Sequence, residues 1–255
     1  MANPTRMTRR QWVMGTTVVT RRELAAYFDA PIAYVYASVF LILSTTVFMN
    51  DFFLDAVADM APFFRWLPLL LIAFVPAITM RSWAEEHAQH TFELLLTLPL
   101  QPLQVVLGKF VAALAFLALT LVGTTPIVVM LLCLGRPDLG VIAAGYLGAL
   151  LLGSLFLAVG LLASALTRDQ VVAFVLAALL GVVLVASGHP RVVEVLDGLA
   201  PALQAGTGLR TSLAALPRYE ALTTGLVRLA DLLYFALMCV LFLTLNAVAL
   251  QRSRY

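Results

Sequence analysis

Charge is scarce in this chain, and lysine almost absent. Only 12% of its 255 residues are charged, and of 16 Lys and Arg residues a single one, Lys109, is lysine. Soluble domains carry roughly 25% charged residues. A net charge of +2 gives no field strong enough to point to nucleic acid as a partner. Cysteine is rare too: Cys133 and Cys239 each lie inside an apolar run. Two such residues cannot make a disulfide framework, and each reads as a small buried hydrophobe. A long apolar run is missing from the first thirty residues, which instead carry Arg6, Arg9, Arg10, Arg21 and Arg22. That excludes the pattern of a cleaved signal peptide, so an uncleaved cytoplasmic N-terminus is expected. A phosphate loop is missing as well. Gly108-Lys109 is followed by Phe110, and Leu103 stands where the first glycine of Gly-x-x-x-x-Gly-Lys-[Ser/Thr] would fall. The chain is not expected to be an enzyme, and any ATP-driven role requires a partner.

What the sequence has in excess is apolar surface. The hydrophobic share is 62%, against about 45–50% in soluble domains, and a core of this size cannot absorb the difference. Lipid can. A helix needs about 20 apolar residues to cross the hydrocarbon core, and six runs qualify: 32–50, 62–81, 103–134, 140–166, 171–187 and 229–250. The fold class is therefore all-α, one polytopic membrane domain over 1–255, with a cytoplasmic or interfacial segment 1–31, a six-helix region 32–250 and a cytoplasmic tail 251–255. The third run is about 48 Å long at ~1.5 Å per residue, so it tilts or extends beyond the bilayer. Pro126 in Gly123-Thr124-Thr125-Pro126 predicts a kink, with threonine hydroxyls taking up the freed carbonyl. Pro68 and Pro76 predict bends in the second run.

Basic residues set the orientation. They gather at the N-terminus, at Arg81 and Lys109, at Arg168, and at Arg252 and Arg254, whereas the first intervening loop has only the acids Asp51, Asp55 and Asp59. Both termini are thus expected inside, at the cytoplasmic face of a bacterial inner membrane. The segment 188–228 goes against the rule, with four arginines on the expected outer side. It is broken by Pro and Gly, and Val192–Leu199 and Leu209–Leu216 read as short helices dipping into the outer leaflet. Charges within the spans are few: Arg65 and Asp231 sit at outer ends, where both are expected to reach water. A proton pathway through a buried carboxylate is therefore not expected. Gly145, Gly148, Gly153, Ser154 and Ser164 read as helix-packing residues.

Two segments stand out at the expected cytoplasmic face. Gln11–Tyr27 interleaves basic and apolar residues and reads either as an interfacial amphipathic helix or as a plain basic anchor, with Arg21 and Arg22 near lipid headgroups. Between spans two and three, Arg81 to Pro99 runs from polar and acidic to apolar. Phe92, Leu95 and Leu96 share one helical face, and Glu85 and Glu86 lie just below the second span. Such a helix can hand force from a soluble partner to the membrane helices. Metal binding by Glu86, His87 and His90 is disfavoured, because a zinc-protease helix needs His-Glu-x-x-His and a third ligand. The acidic pair followed by His90 lacks the arginine and the later intramembrane histidine of proteases that act on prenylated substrates.

Pro76 to Glu86, Thr91 to Pro99 and Val106 to Phe110 together resemble type 2 ABC exporter permeases, most of all the gliding-motility-associated branch, with nitrous-oxide-reductase maturation permeases as relatives. Gly160 to Phe174 and Tyr219 to Phe235 are similar as well. The resemblance implies six helices, an N-terminal interfacial helix and a cytoplasmic coupling helix. It implies two permease subunits, identical or different, on two copies of an ATP-binding subunit that holds the ATP and Mg; this chain would bind no cofactor itself. It places Glu85, Glu86, Thr91 and Glu93 in the coupling region, where the apolar face adds Phe92 and Leu95. Membrane lipid and a periplasmic accessory protein are further expected partners. His87-Ala88-Gln89-His90 departs from the basic or glycine-containing stretch common in relatives. The alternative of a different class is a membrane scaffold anchoring a cell-envelope assembly without transport. No residue points to a substrate.

Overall fold

The computed structural model describes residues 9–55, 59–88, 101–199 and 205–252. The helices are α1 (Arg9–Asp29), α2 (Pro31–Asp55), α3 (Ala61–Thr79), α4 (Arg81–Ala88), α5 (Pro102–Val122), α6 (Thr125–Leu134), α7 (Leu139–Leu166), α8 (Gln170–Ala186), α9 (Pro190–Leu199), α10 (Ala205–Ser212), α11 (Leu216–Thr223) and α12 (Leu229–Arg252). No strand occurs among the described residues. The chain is all-α, as the apolar runs predict.

Local chemistry starts the helices where the sequence changes character. Asp138 caps α7 by accepting from Gly140 N at 2.8 Å, and Asp169 caps α8 by accepting from Val171 N at 2.7 Å. Gln101 and Gln104 form a reciprocal capping box at the start of α5, with Pro102 in its first turn. The helix is interrupted where the kink is expected: α5 and α6 are separated at Gly123-Thr124 yet together make one apolar stretch of 33 residues. Pro126 has no N–H for the Val122 carbonyl, and the Thr125 hydroxyl donates to that carbonyl instead.

Among the described residues, five helices are long and apolar enough to cross a membrane, and the number rises to six if a bent pair counts as one span. The doubtful run is the fifth. α8 has 17 residues and meets α9 at an 85° bend. Outward faces carry stripes of large apolar side chains at three- and four-residue spacing. Val171, Val175 and Leu179 on α8 are exposed, as are Leu233, Leu237 and Val240 on α12. Apolar patches of this extent need a nonpolar surrounding. The chain is a membrane protein.

Contacts fix the helix directions. α2 and α3 are antiparallel, pairing Phe48 with Phe63 and Phe40 with Phe74. α3 and α7 run the same way, Phe64 lying at Gly145 and Thr79 at Gly160. α5 opposes α7, with Leu117 at Gly153 and Thr124 2.6 Å from Tyr146, and α12 follows α7, with Ser154 3.4 Å from Cys239 and Gly225, shortly before α12, against Val141 near the start of α7. The start of α1 and the end of α12 therefore share one end of the bundle. α7 is the central helix, and its glycines are the reason: a Cβ at Gly145, Gly153 or Gly160 would collide with the Phe64 ring, Leu117 or Thr79.

Three expectations need correction. Cys133 is exposed rather than buried, because α6 presents it outward; Cys239 is buried. Arg65 is exposed and paired with Asp51 at 2.8 Å, but Asp231 does not reach water freely. It is buried with Oδ1 3.9 Å from Arg218, whose guanidinium lies 3.8 Å from the Tyr234 ring centroid. The 188–228 segment does form short helices, but Leu209–Leu216 is divided between α10 and α11. α11 packs against α7 and α3, where Tyr219 is buried.

Candidate functional site

Lys109 sits on the second turn of α5, in a run otherwise apolar, with its side chain 3% exposed. An ammonium has three donors, and all three are used. Nζ donates to Glu86 Oε1 at 2.8 Å, to the Ser82 carbonyl at 2.9 Å and to Glu23 Oε2 at 3.2 Å. The ammonium also lies 4.8 Å from the centroid of the Trp83 ring, a cation–π distance. Arg22 closes the cluster, 2.6 Å from Glu23 and 3.6 Å from Glu86. Two cations and two carboxylates balance. The neutral sum makes burial tolerable, since an unpaired charge there would cost several kcal/mol.

This quartet ties three elements together at the end of the bundle shared by the termini: α1 through Arg22 and Glu23, α4 through Ser82 and Glu86, and α5 through Lys109. α1 is not a helix lying apart on a surface. It follows α5 in the same sense, with Gln104 donating to the Trp12 carbonyl at 3.1 Å, Val19 filling the space over Gly108, and Tyr27 stacked on Phe116 at 5.2 Å. Its apolar residues do not segregate to one side: Val19 is buried, whereas Val13, Met14 and Val18 are exposed.

The electrostatics follow from that packing. Burial alone would raise the Glu23 carboxyl, but the charges and hydrogen bonds of Lys109 and Arg22 outweigh it and hold Glu23 below its ordinary value. The hydrogen bond to Glu23 raises the Arg22 guanidinium further, against desolvation. Desolvation pushes the Tyr27 hydroxyl up to about 12, despite its hydrogen bond with Ser82. Arg22 and Glu23 are therefore charged and Tyr27 is protonated throughout the neutral range.

A fourth element, α7, holds α4 in place. α3 ends at Thr79 and α4 begins at Arg81, so the first N–H groups of α4 have no partner in their own helix. Ser164 supplies one. Its Oγ accepts from Trp83 N at 3.1 Å and Ala84 N at 3.2 Å, and donates to the Met80 carbonyl at 3.0 Å. A side chain on the central helix therefore caps the turn between α3 and the segment that follows it.

Of the residues expected to couple to a partner, Glu86 is in this cluster and Glu85 is on the same short helix α4. The side chains of Glu85 and His87 lie outside the described residues, as do Thr91, Phe92, Glu93, Leu95 and His90 entirely. Among the described residues no group of three or more His, Cys, Asp or Glu side chains gathers as a metal site would require. The pairing of Glu86 with Lys109 and Arg22, the sharing of both by Glu23, and the capping of α4 by Ser164 were not legible in the sequence. One signal was available: Lys109 lies seven residues inside an apolar run that begins at Pro102, where a charge marks function or pairing. No family model matches the chain, and no curated protein matches it at a significant level.

Proposed function

We propose that the chain is the membrane-spanning subunit of an ABC exporter, or of a machine that transmits force by the same means, driven by a separate ATP-binding subunit. In this reading it spans the bacterial cytoplasmic membrane six times with both termini inside, α8 being the fifth span. It pairs with a second permease subunit on two ATP-binding subunits. The observation that carries the proposal is the Lys109 ammonium shared between Glu23 of α1 and Glu86 of α4. A push on the segment after α4 reaches span three through Lys109 and span four through Ser164, so displacement of one cytoplasmic element moves several spans together. Because the ammonium satisfies two carboxylates on different helices, a partner cation that captured Glu86 would remove the ionic tie between α4 and α5, leaving the Ser82 carbonyl as the remaining hydrogen bond, while Glu23 kept Lys109 neutralised. That is a two-state element which nucleotide binding in a partner can bias.

The test uses the complex purified from native membrane and placed in nanodiscs, with complex yield and ATPase rate as readouts. Phe92→Ala removes an apolar anchor, worth about 2 kcal/mol or more where it fills a pocket, and is expected to lower complex yield. Glu85→Gln with Glu86→Gln is expected to leave the complex assembled and to uncouple hydrolysis from transport, since Glu86 gives up its ionic tie to Lys109 while Glu23 still neutralises the ammonium and the apolar anchor Phe92 is kept. Wild-type behaviour of both variants would sink the coupling assignment and favour a scaffold.

A further inference from the structure

A groove of about 340 Å³ runs between α1, α2 and α5, a volume within the usual range of small-molecule sites. Tyr27 and Phe28 form one end and Leu41 and Gly123 the other, with Phe116 as its floor. The far end narrows where Leu41 packs against Gly123: a Cβ there would lie 3.2 Å from Leu41. Tyr34, Leu119 and Val122 on the rim are more than half exposed, so the groove opens sideways from the bundle toward lipid. From Ala33 to Leu41 it follows about 12 Å of helix at ~1.5 Å per residue, close to one leaflet's share of a hydrocarbon core ~30 Å thick.

The entrance is charged. Arg21 precedes Phe28 by seven residues and so lies on nearly the same face of α1. It is exposed, and no described residue pairs with it, whereas its neighbour Arg22 is taken by Glu23 and Glu86. An apolar slot one leaflet deep with an unpaired guanidinium two turns below its mouth matches one chemistry: an acyl chain bearing an anionic headgroup. We infer that this groove holds one acyl chain of an anionic phospholipid of the inner leaflet, with Arg21 at the headgroup phosphate. The inference rests on the proposed orientation only in naming the leaflet. Occupancy would fasten α1 to α2 and α5 beside the Lys109 cluster, making the cluster responsive to membrane composition.

The experiment uses the full chain in nanodiscs of phosphatidylethanolamine and phosphatidylglycerol. A trace of phosphatidylglycerol carries a diazirine midway along one acyl chain, and after photolysis the adducts are mapped by peptide mass spectrometry. Adducts should concentrate several-fold on 28–41 and 116–123 relative to the lipid-facing stripe of α12. Ala37→Trp, which fills the slot, should abolish that enrichment. Arg21→Glu, on an exposed face where folding is not at risk, should lower labelling by the phosphatidylglycerol probe on the order of fivefold and leave a phosphatidylcholine probe unaffected. Even labelling along α12, or equal response of the two probes to Arg21→Glu, would each overturn the inference. The two leaflets of a nanodisc are alike and no ATP-binding subunit is present, so a wrong orientation or a failed coupling assignment leaves this result untouched.

Discussion

The Tyr219 hydroxyl donates to the Phe64 carbonyl at 2.7 Å, and Phe64 is the residue whose carbonyl Pro68 deprives of its helical donor. A proline four residues later has no N–H to return. In a membrane no water replaces it, so the freed oxygen must be satisfied from within the protein. Here α11 serves, entering between α3 and α7 with Tyr219 fully buried. The segment after α9 is thereby anchored inside the bundle, although its Pro- and Gly-rich sequence resembles a surface loop.

That pairing makes a reciprocal prediction. Tyr219→Phe leaves a buried carbonyl unsatisfied and should destabilise the protein by about 1–3 kcal/mol, read as a lower melting temperature in detergent. Pro68→Ala restores an N–H to Phe64, so Tyr219→Phe should cost little in a Pro68→Ala background. An undiminished cost in the double variant would mean that the ring's packing, not its hydroxyl, holds α11.

Lys109 offers a second test, in which charge and packing separate. Lys109→Met leaves Glu23 and Glu86 facing each other with side chains only 16% and 17% exposed. The expected loss is about 3 kcal/mol, the usual scale for breaking a buried pair from one side. Removing all three charges, as Lys109→Met with Glu23→Gln and Glu86→Gln, should recover most of that loss, because Arg22 is exposed enough to remain hydrated. A triple variant as unstable as the single one would show that the cluster's shape matters more than its charge balance.

The sequence exposed the spans because each is a continuous apolar run, and it exposed the break at Pro126 because the proline and its threonine are neighbours. The link from Phe64 to Tyr219 crosses 155 positions, and no local pattern records it. The partners of Lys109 were hidden for a different reason. A basic residue near the start of an apolar run counts as an orientation signal whether it faces water or its own helices, and only the packing of α1 and α4 tells the two apart. The fifth run was legible as apolar but not in its length, since α8 turns by 85° into α9 beside Gly188, where a Cβ would meet Pro217.

Acid should loosen α1. Glu23 is held below its ordinary 4.5, so its pairing stabilises the fold fully above that value and the contribution disappears as pH falls through the lowered one. Wild type should melt above Glu23→Gln at neutral pH, and the two curves should converge only below about pH 4.5. Hydrogen exchange of the α1 amides, followed over the same range, should quicken as they converge. Curves that stay parallel into strong acid would mean that Glu23 carries no differential charge energy.

Orientation and span number can be settled together by cysteine accessibility in intact cells. The native Cys133 is exposed and Cys239 buried, so the background is Cys133→Ser with Cys239→Ala. Asp55→Cys and Arg210→Cys should then react with an impermeant maleimide from outside, whereas Arg168→Cys, Gln89→Cys and Ser253→Cys should react only after permeabilisation. The physical basis is the excess of arginine at both termini and beside Arg81 and Arg168, together with the shared direction of α7 and α12. Two helices that run the same way need one return crossing between them, and α8 is the candidate. Arg210→Cys and Arg168→Cys are therefore the decisive pair: opposite accessibility makes α8 a span. Equal accessibility would make α8 and α9 a re-entrant loop, and labelling of Gln89→Cys from outside would invert the whole assignment.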